Sequence, residues 1–165
     1  MNVRSRFSEL SDHLKTQSAT MGVPPENFQG EIARMQLAPG GRNCTPQGWH
    51  LANLRYRGVL LIERIAQQSA IMLLIQCRAW LDENDDTRDD YKLADPEISL
   101  VPLDSGDLVD LIVSCDFVDP VYLAEDPNGT VEWNGRKMAP VAYDLWVAER
   151  GTVNQAPTDP EEANK

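Results

Sequence analysis

The chain of 165 residues has the length of one domain, and its apolar fraction of 42% is enough for a hydrophobic core. Its 15 basic and 26 acidic residues give a formal net charge of −11, which excludes a protein that wraps nucleic acid with a broadly cationic surface. The sequence has neither an apolar run of the roughly 20 residues that cross a bilayer nor an apolar signal core behind its N-terminus, so we expect a cytosolic product without membrane contact.

A short amphipathic helix is predicted over residues 5–17. Phe7, Leu10 and Leu14 recur at the three- and four-residue spacing of one helical face. Ser5 is suited to cap the N-terminus of this helix, and the glycine and prolines that follow it prevent its continuation.

Two strands are predicted next, at residues 32–37 and 49–65, and residues 42–48 between them have the composition of a loop. The longer strand changes character along its length. Its first half alternates polar and apolar side chains, which predicts one wet face, whereas the apolar run at residues 59–62 predicts burial on both faces.

The strongest helical pattern covers residues 67–83. Apolar side chains occupy most of the circumference of this helix. We therefore expect a long apolar helix that lies in a groove between a sheet and a second layer, with Ser69 as a cap for a late start.

The rest of the pattern predicts antiparallel strands. Residues 97–103 and 107–117 form a predicted hairpin, whose second strand directs Asp110, Ser114 and Asp116 away from an apolar core face. The Asp-Pro pair at 119–120 is expected to end that strand. Shorter strands are predicted at residues 121–124, 131–133 and 142–148, with turns at 126–129, where glycine meets a positive φ, and at 134–135.

This order of elements predicts an α+β domain over residues 1–150. A mostly antiparallel sheet carries the N-terminal helix and the long apolar helix. Residues 151–165 contain almost nothing apolar and are predicted to form a mobile acidic tail.

The search for catalytic chemistry finds no supporting motif in the sequence. Nucleophile elbows, phosphate loops and zinc-type cysteine pairs are absent, and His13 and His50 are the only histidines. The odd cysteine count without metal spacing predicts reduced thiols. We therefore expect no catalytic residue, no cofactor and no metal site.

The acidic segment at residues 82–90 is the one cluster that raises a metal question. Asp82, Asn84 and Asp86 have the one-three-five spacing of a calcium loop, but Thr87 and Leu93 stand where that loop needs a glycine and a bidentate acid. An exposed, solvated loop is the simpler interpretation. A small metal-dependent enzyme, or a cytosolic binding module that uses this loop, is the alternative function.

Charge is distributed unevenly along the chain. Residues 1–81 hold nine basic and five acidic residues, whereas residues 82–116 hold twelve acidic and two basic ones. Head-to-tail self-association through opposite charges is one interpretation, and simple solvation of loops by the acids is the other. Two alternatives fit the run Arg55, Tyr56 and Arg57: a small binding patch, or a solvent-exposed strand face at an assembly interface.

Residues 54–150 resemble the R-type tail-completion proteins of P2-like contractile-tailed phages. The resemblance rests on an ordered set of stretches, none of which is diagnostic alone: residues 54–63 (LRYRGVLLIE), 79–84 (AWLDEN), 95–98 (DPEI), 119–127 (DPVYLAEDP), Trp133 and residues 143–149 (YDLWVAE). The N-terminal helix agrees in type and place. The chain departs from the family pattern at residues 38–52 and in its acidic C-terminal tail.

This resemblance implies a structural protein, without enzymatic activity, that completes the tail at its head-proximal end. Such proteins are similar to tail terminators, whose α+β subunits form a six-fold ring on the last ring of the tail tube. The implied partners are other copies of the chain, the tail tube protein, the tail sheath protein and the neck or head-completion protein, while DNA passes through the lumen without specific binding. The implied location is the virion tail, after assembly in the bacterial host cytoplasm.

Seven residues are candidates for these contacts. The candidates for the subunit or tail interface are Arg55, Arg57, Arg78, Asp85 and Asp86. Asp110 and Asp116 are candidates for an acidic lumen along which DNA slides.

Overall fold

A computed structural model describes residues 2–104 and 106–144, with side chains from residue 4 to residue 141. In chain order the helices and strands are β1 (Asn2–Arg4), α1 (Arg6–Ala19), β2 (Phe28–Ala38), β3 (Asn43–Thr45), β4 (Gly48–Ala66), α2 (Gln67–Asn84), α3 (Thr87–Asp90), β5 (Glu97–Pro102), β6 (Leu108–Glu125), β7 (Val131–Trp133), β8 (Arg136–Pro140) and β9 (Ala142–Asp144). A 3-10 turn at Pro25–Asn27 precedes β2.

The main sheet is antiparallel throughout its described part. Its strands follow the order β2, β4, β6, β8, β7, with β3 also paired to β4 and β5 also paired to β6. A small parallel pair joins β1 to β9. The α+β class and the mostly antiparallel sheet are therefore confirmed, and α1 and α2 pack on the same face of the sheet, which we call the helix face.

Helix α1 begins where the sequence predicts. The Ser5 hydroxyl accepts a hydrogen bond from the Ser8 amide at 2.9 Å, which satisfies one of the free N–H groups of the first turn. The predicted apolar face is buried, with Phe7, Leu10 and Leu14 in the core.

Gly58 of β4 brings α1 close to the sheet. A Cβ atom at this position would lie only 2.6 Å from the Phe7 ring. The absence of a side chain therefore lets Phe7 pack directly on the strand, where it also contacts the Phe117 ring at a centroid distance of 5.8 Å.

Helix α2 occupies the predicted place, but the expectation of a long apolar helix enclosed between two layers is wrong. Its buried residues are Ala70, Leu73, Cys77 and Leu81, which form a single stripe against the sheet. Ile71, Met72 and Ile75 are exposed. Apolar side chains on most of the circumference predicted a second layer, but no described element covers that side. Ser69 is not its cap, because the helix begins at Gln67 without a side-chain cap.

The second half of β4 is not buried on both faces, contrary to expectation. Tyr56, Leu60 and Ile62 point into the helix face and are buried, while Val59 and Leu61 on the opposite, outer face remain half-exposed. The apolar run correctly indicated a strand, but the described residues place no layer over its outer side.

The Asp119-Pro120 pair does not end β6, which continues to Glu125 as one strand. Over residues 115–122 this strand pairs with β4 alone, because β5 ends its pairing at Ser114 and β8 begins at Leu123. Proline is tolerated in a strand where its missing N–H faces an unpaired side. The gap between β5 and β8 provides that side.

Two loop predictions also change. Residues 42–48, expected to be a loop, contain β3 and its turn into β4. Gly129 ends the predicted 126–129 turn, in which its amide donates to the Asp126 carbonyl at 2.8 Å, but its φ is not positive. A Cβ there would collide with the Met138 backbone, so close packing requires this glycine. The hairpin turn at Asn134 and Gly135, both at positive φ, is confirmed.

The C-terminal predictions lie mostly outside the described residues. Strand β9 covers the first three residues of the predicted 142–148 strand. The described residues include neither the rest of that strand, nor the domain limit at residue 150, nor the predicted tail at 151–165.

Candidate functional site

The outer face of the sheet carries a charged cluster that spans four strands. Arg34 of β2 lies opposite Arg57 of β4, and Arg57 lies opposite Asp116 of β6, so the pleat directs all three side chains to the same face. Arg55 and Glu97 join them from β4 and β5. We call these five residues the charged sheet face.

Asp116 is the centre of the charged sheet face. Arg57 Nε donates to its Oδ1 at 2.8 Å, and Arg55 Nη2 donates to its Oδ2 at 3.3 Å. Arg57 Nη1 also reaches Glu97 Oε1 at 3.3 Å. Beside these groups is a depression of about 180 Å³ that Arg34 helps to line. The cluster thus holds three guanidinium groups for two carboxylates.

These contacts shift the protonation equilibria of the cluster. Partial burial of Asp116 opposes its charged form, but the hydrogen bonds and charges of Arg57 and Arg55 outweigh burial and lower the pKa of this carboxyl below its ordinary value. The hydrogen bond to Asp116 raises the pKa of Arg57. Asp116 and Arg57 therefore stay ionised at neutral pH as a hydrogen-bonded ion pair.

The predicted patch of Arg55, Tyr56 and Arg57 does not form as one surface. Alternation along β4 sends the two arginines to the outer face and buries the tyrosine on the helix face, where its hydroxyl donates to Asp119 at 2.6 Å. The structure instead adds Arg34 and Glu97, which sequence reasoning missed. The alternation of Arg34 and Gln36 with apolar residues in β2 was the available signal.

A second charged cluster lies on the helix face and is structural. Arg6 at the start of α1 binds Asp119 at 2.9 Å and Asp85 at 3.2 Å, and Asp119 and Asp85 are both buried. Burial alone would lower the pKa of Arg6, but the charge and hydrogen bond of Asp119 together with the charge of Asp85 raise it. This cluster ties α1 to β6 and to the end of α2.

The acidic 82–90 segment is not the uniform solvated loop that we expected. Asp82 and Asn84 lie within α2, so they cannot follow the extended path of a calcium loop. Asp85 is only 5% exposed and also binds Arg88 at 3.2 Å, so it is committed inside the subunit. Asp86 is open to solvent, with a side-chain exposure of 92%. Among residues 2–104 and 106–144, no three acidic, histidine or cysteine side chains are grouped to hold a metal ion.

The remaining candidates are placed as follows. Arg78 lies on the exposed side of α2 and joins Asp82 at 3.1 Å and Asp95 at 3.5 Å. Asp110 and Asp116 do share the outer face, as the alternation predicts, but Asp116 is neutralised by arginines. Asp110 accepts a hydrogen bond from the Arg64 amide at 2.9 Å. The outer face therefore has mixed charge and is not purely acidic.

The cysteines and histidines are spread through the fold. Burial raises the pKa of the Cys77 thiol to about 11 and that of Cys115 to about 12, so both thiols stay protonated at neutral pH. Cys44 is exposed. His13 contacts Gln76, and His50 contacts Asn53, so the two histidines belong to different neighbourhoods.

Exposed apolar side chains complete the surface. Several large ones lie on α2, β2 and β5: Met35, Leu37, Ile71, Met72, Ile75, Ile98, Leu100 and Val101. Large exposed apolar side chains, where they are contiguous, are typical of surfaces that contact other proteins. In the described part of the chain, no helix has the length and apolar character needed to cross a bilayer.

Comparison with known proteins identifies the family to which the chain belongs. The model of the P2 phage tail completion protein R family matches residues 5–142, and the chain belongs to this family. A 19.2 kDa protein from the rep-hol intergenic region of Haemophilus phage HP1 is 29% identical over 125 residues, which cover 74% of this chain and 75% of the phage protein. No solved structure matches. The resemblance to tail-completion proteins is thus confirmed, and the chain has a structural role in the phage tail.

Proposed function

We propose that this protein completes the tail at its head-proximal end as a homohexameric ring. The ring caps the last ring of the tail tube, stops tube growth and offers a surface to the neck. The observation that carries the proposal is the family match over residues 5–142. Two open sheet edges and the exposed apolar residues support it, because a ring subunit needs two different contact surfaces.

In this proposal the charged sheet face meets a tail or neck protein, while the other end of the outer face, which carries Asp110, lines the lumen. Arg55 and Arg57 remain the first interface candidates, now with Arg34, and Arg78 and Asp86 remain candidates on the helix side. Asp85 leaves the set because its carboxylate is enclosed by Arg6 and Arg88. Residues 1–150 act as one domain, followed by a tail at 151–165.

Deletion of the gene from the phage tests the proposed function. We expect lysates with separate heads and tails, and tails of irregular length, since nothing then ends the tube at its upper rim. Electron microscopy of the lysate measures tail length and head attachment. Supply of the intact chain from a plasmid restores joined particles, and the same plasmid without the gene serves as the matched control.

Two outcomes contradict the proposal. One is a lysate of complete, infectious particles in the absence of the protein. The other is a defect in head assembly with normal tails. Addition of calcium or magnesium to the purified chain checks the alternative metal function, because a specific ion raises the melting temperature with its concentration.

A further inference from the structure

The strand β5 forms an open edge of the main sheet. Within the described residues it pairs only with β6, through six residues from Glu97 to Pro102. Its other side presents backbone N–H and C=O groups without a strand partner. Such an edge is a template for a strand from another chain.

Apolar side chains adjoin this edge on the helix face. Ile98 and Leu100 of β5 are opposite Val113 and Leu111 of β6, which places them on the helix face, yet both are exposed. Ile71 and Ile75 are also exposed and share a side of α2 with Arg78, which reaches Asp95 just before β5. We call the open edge of β5 and these four exposed apolar residues the β5 surface.

The acidic side chains beside the β5 surface are paired within the subunit. Asp82 and Asp95 bind Arg78, and Glu97 binds Arg57. The features that remain uncovered are the strand edge and the apolar side chains. A strand with exposed apolar side chains on its helix face fits this surface.

The opposite edge of the same sheet has those properties. In the part of the sheet ordered β2, β4, β6, β5, strand β2 forms the other edge, and a bulge between Ile32 and Arg34 divides it into two halves. In the second half Met35 is 55% exposed and Leu37 is 71% exposed. Arg34 is the one charged residue of that half, whereas the first half carries Glu31.

We propose, building on the ring of the proposed function, that the second half of β2 in one copy adds to β5 of the next copy. Strands β2 and β5 run in opposite directions, since three antiparallel pairings separate them. A head-to-tail neighbour with the same face toward the helices then forms an antiparallel pair. The exposed apolar residues select the second half of β2, because Phe28 and Ile32 in the first half are buried and half-buried within the subunit.

The apolar residues indicate a register. Met35 lies opposite Tyr56, and Leu37 lies opposite Leu54, so both side chains are on the helix face. Placing Leu37 opposite Ile98 and Met35 opposite Leu100 covers all four in one continuous apolar row. Gln36 and Ser99 are then opposite each other on the outer face.

Cysteine cross-linking tests the proposed pair. In a Cys44→Ser background, which removes the exposed native thiol, the full chain receives Gln36→Cys and Ser99→Cys together. A short thiol-to-thiol cross-linker is added to the purified protein at high concentration and to assembled tails. We expect a ladder of covalent multimers, because each subunit contributes one cysteine to each of two neighbours.

The single variants are the matched controls. Gln36→Cys alone and Ser99→Cys alone are expected to give no multimers, whereas a two-fold dimer through one edge gives covalent dimers from a single variant and overturns the proposal. Absence of pair-specific cross-links in both the purified protein and the tails also overturns it. Leu37→Glu is expected to abolish the ladder with its melting temperature unchanged.

This experiment separates the interface from the tail role. A ladder from a protein whose deletion leaves complete tails supports the interface and contradicts the proposed function. Defective tails on deletion, without any ladder, support the function and contradict the interface.

Discussion

Asp116 carries a carboxylate that two guanidinium groups hold in its charged form. Its folded-state pKa lies below the ordinary value of the unfolded chain. The ion pairs therefore stabilise the fold fully above the unfolded pKa of about 3.9, and this stabilisation is lost as the pH falls through the lower folded-state pKa.

The variant Asp116→Asn tests this linkage. At pH 7 we expect a loss of about 1 kcal/mol in the free energy of unfolding, since the paired groups are partly screened by solvent. The difference from the native chain should shrink below about pH 4. Urea denaturation between pH 7 and pH 3 measures it. Asp95→Asn, which removes an exposed ion pair, is the control with little effect, and a difference independent of pH contradicts the argument.

Arg6, Asp85 and Asp119 show why a sequence alone could not locate the buried cluster. The contact between Arg6 and Asp119 joins residues 113 positions apart, and no local sequence pattern connects the two. Ser5, by contrast, was predictable as a cap because the helix pattern begins directly after it. Local signals identified the Ser5 cap, the 134–135 turn and the faces of β6, but not charge pairs between distant elements.

At the scale of elements, the contact of α1 with β4 depends on Gly58. A methyl group there meets the Phe7 ring at 2.6 to 2.8 Å, closer than packed carbon atoms allow. Phe7 is buried, so its ring has little room to move away.

Gly58→Ala should therefore destabilise the protein by roughly 1–2 kcal/mol, the range for an overfilled core, despite the lower flexibility of alanine. Thermal or urea unfolding measures the change. In a Phe7→Leu background the smaller side chain leaves space, so the same substitution should cost clearly less. Equal costs in both backgrounds would show that this ring is not what the methyl group meets.

Elements were predictable where one local rule decided them. Strand β4 and helix α2 were placed nearly to the residue because their apolar patterns are long. The prediction that Pro120 ends β6 was wrong, because a proline ends a strand only where its missing N–H would pair with a neighbouring strand, and only the strand order reveals that neighbour. The apolar circumference of α2 gave a wrong prediction for a related reason, since no described element of the subunit covers its exposed side.

At the scale of the whole molecule, the outer face bears on the passage of DNA. In the proposed ring, Asp110 lines the lumen and repels the phosphate backbone, while Asp116 is occupied by arginines. Lumen repulsion depends on unpaired negative charge, so Asp110 is the residue to change.

Reversal of Asp110 to lysine in the phage should slow DNA ejection, because a lumen of positive charges binds phosphate groups. Ejection is followed by the release of dye-labelled DNA from purified virions at several salt concentrations. Asp104→Lys gives the same change of charge at a turn and is the control. An ejection rate equal to that of the native phage would contradict the placement of Asp110 in the lumen.

The offset between β5 and the second half of β2 constrains how many copies can close. Strand β5 is level with residues 59–65 of β4, whereas the exposed half of β2 is level with residues 53–57, a difference of about six residues or roughly 20 Å. If the strands were parallel to the ring axis, each subunit joined this way would be displaced along that axis, and the assembly would be an open helical polymer. A closed ring requires the strands of each subunit to tilt relative to the ring axis, because the tilt compensates for the displacement between neighbours. A closed ring therefore needs a fixed strand tilt, and the flat upper surface of a finished tail tube can impose that tilt.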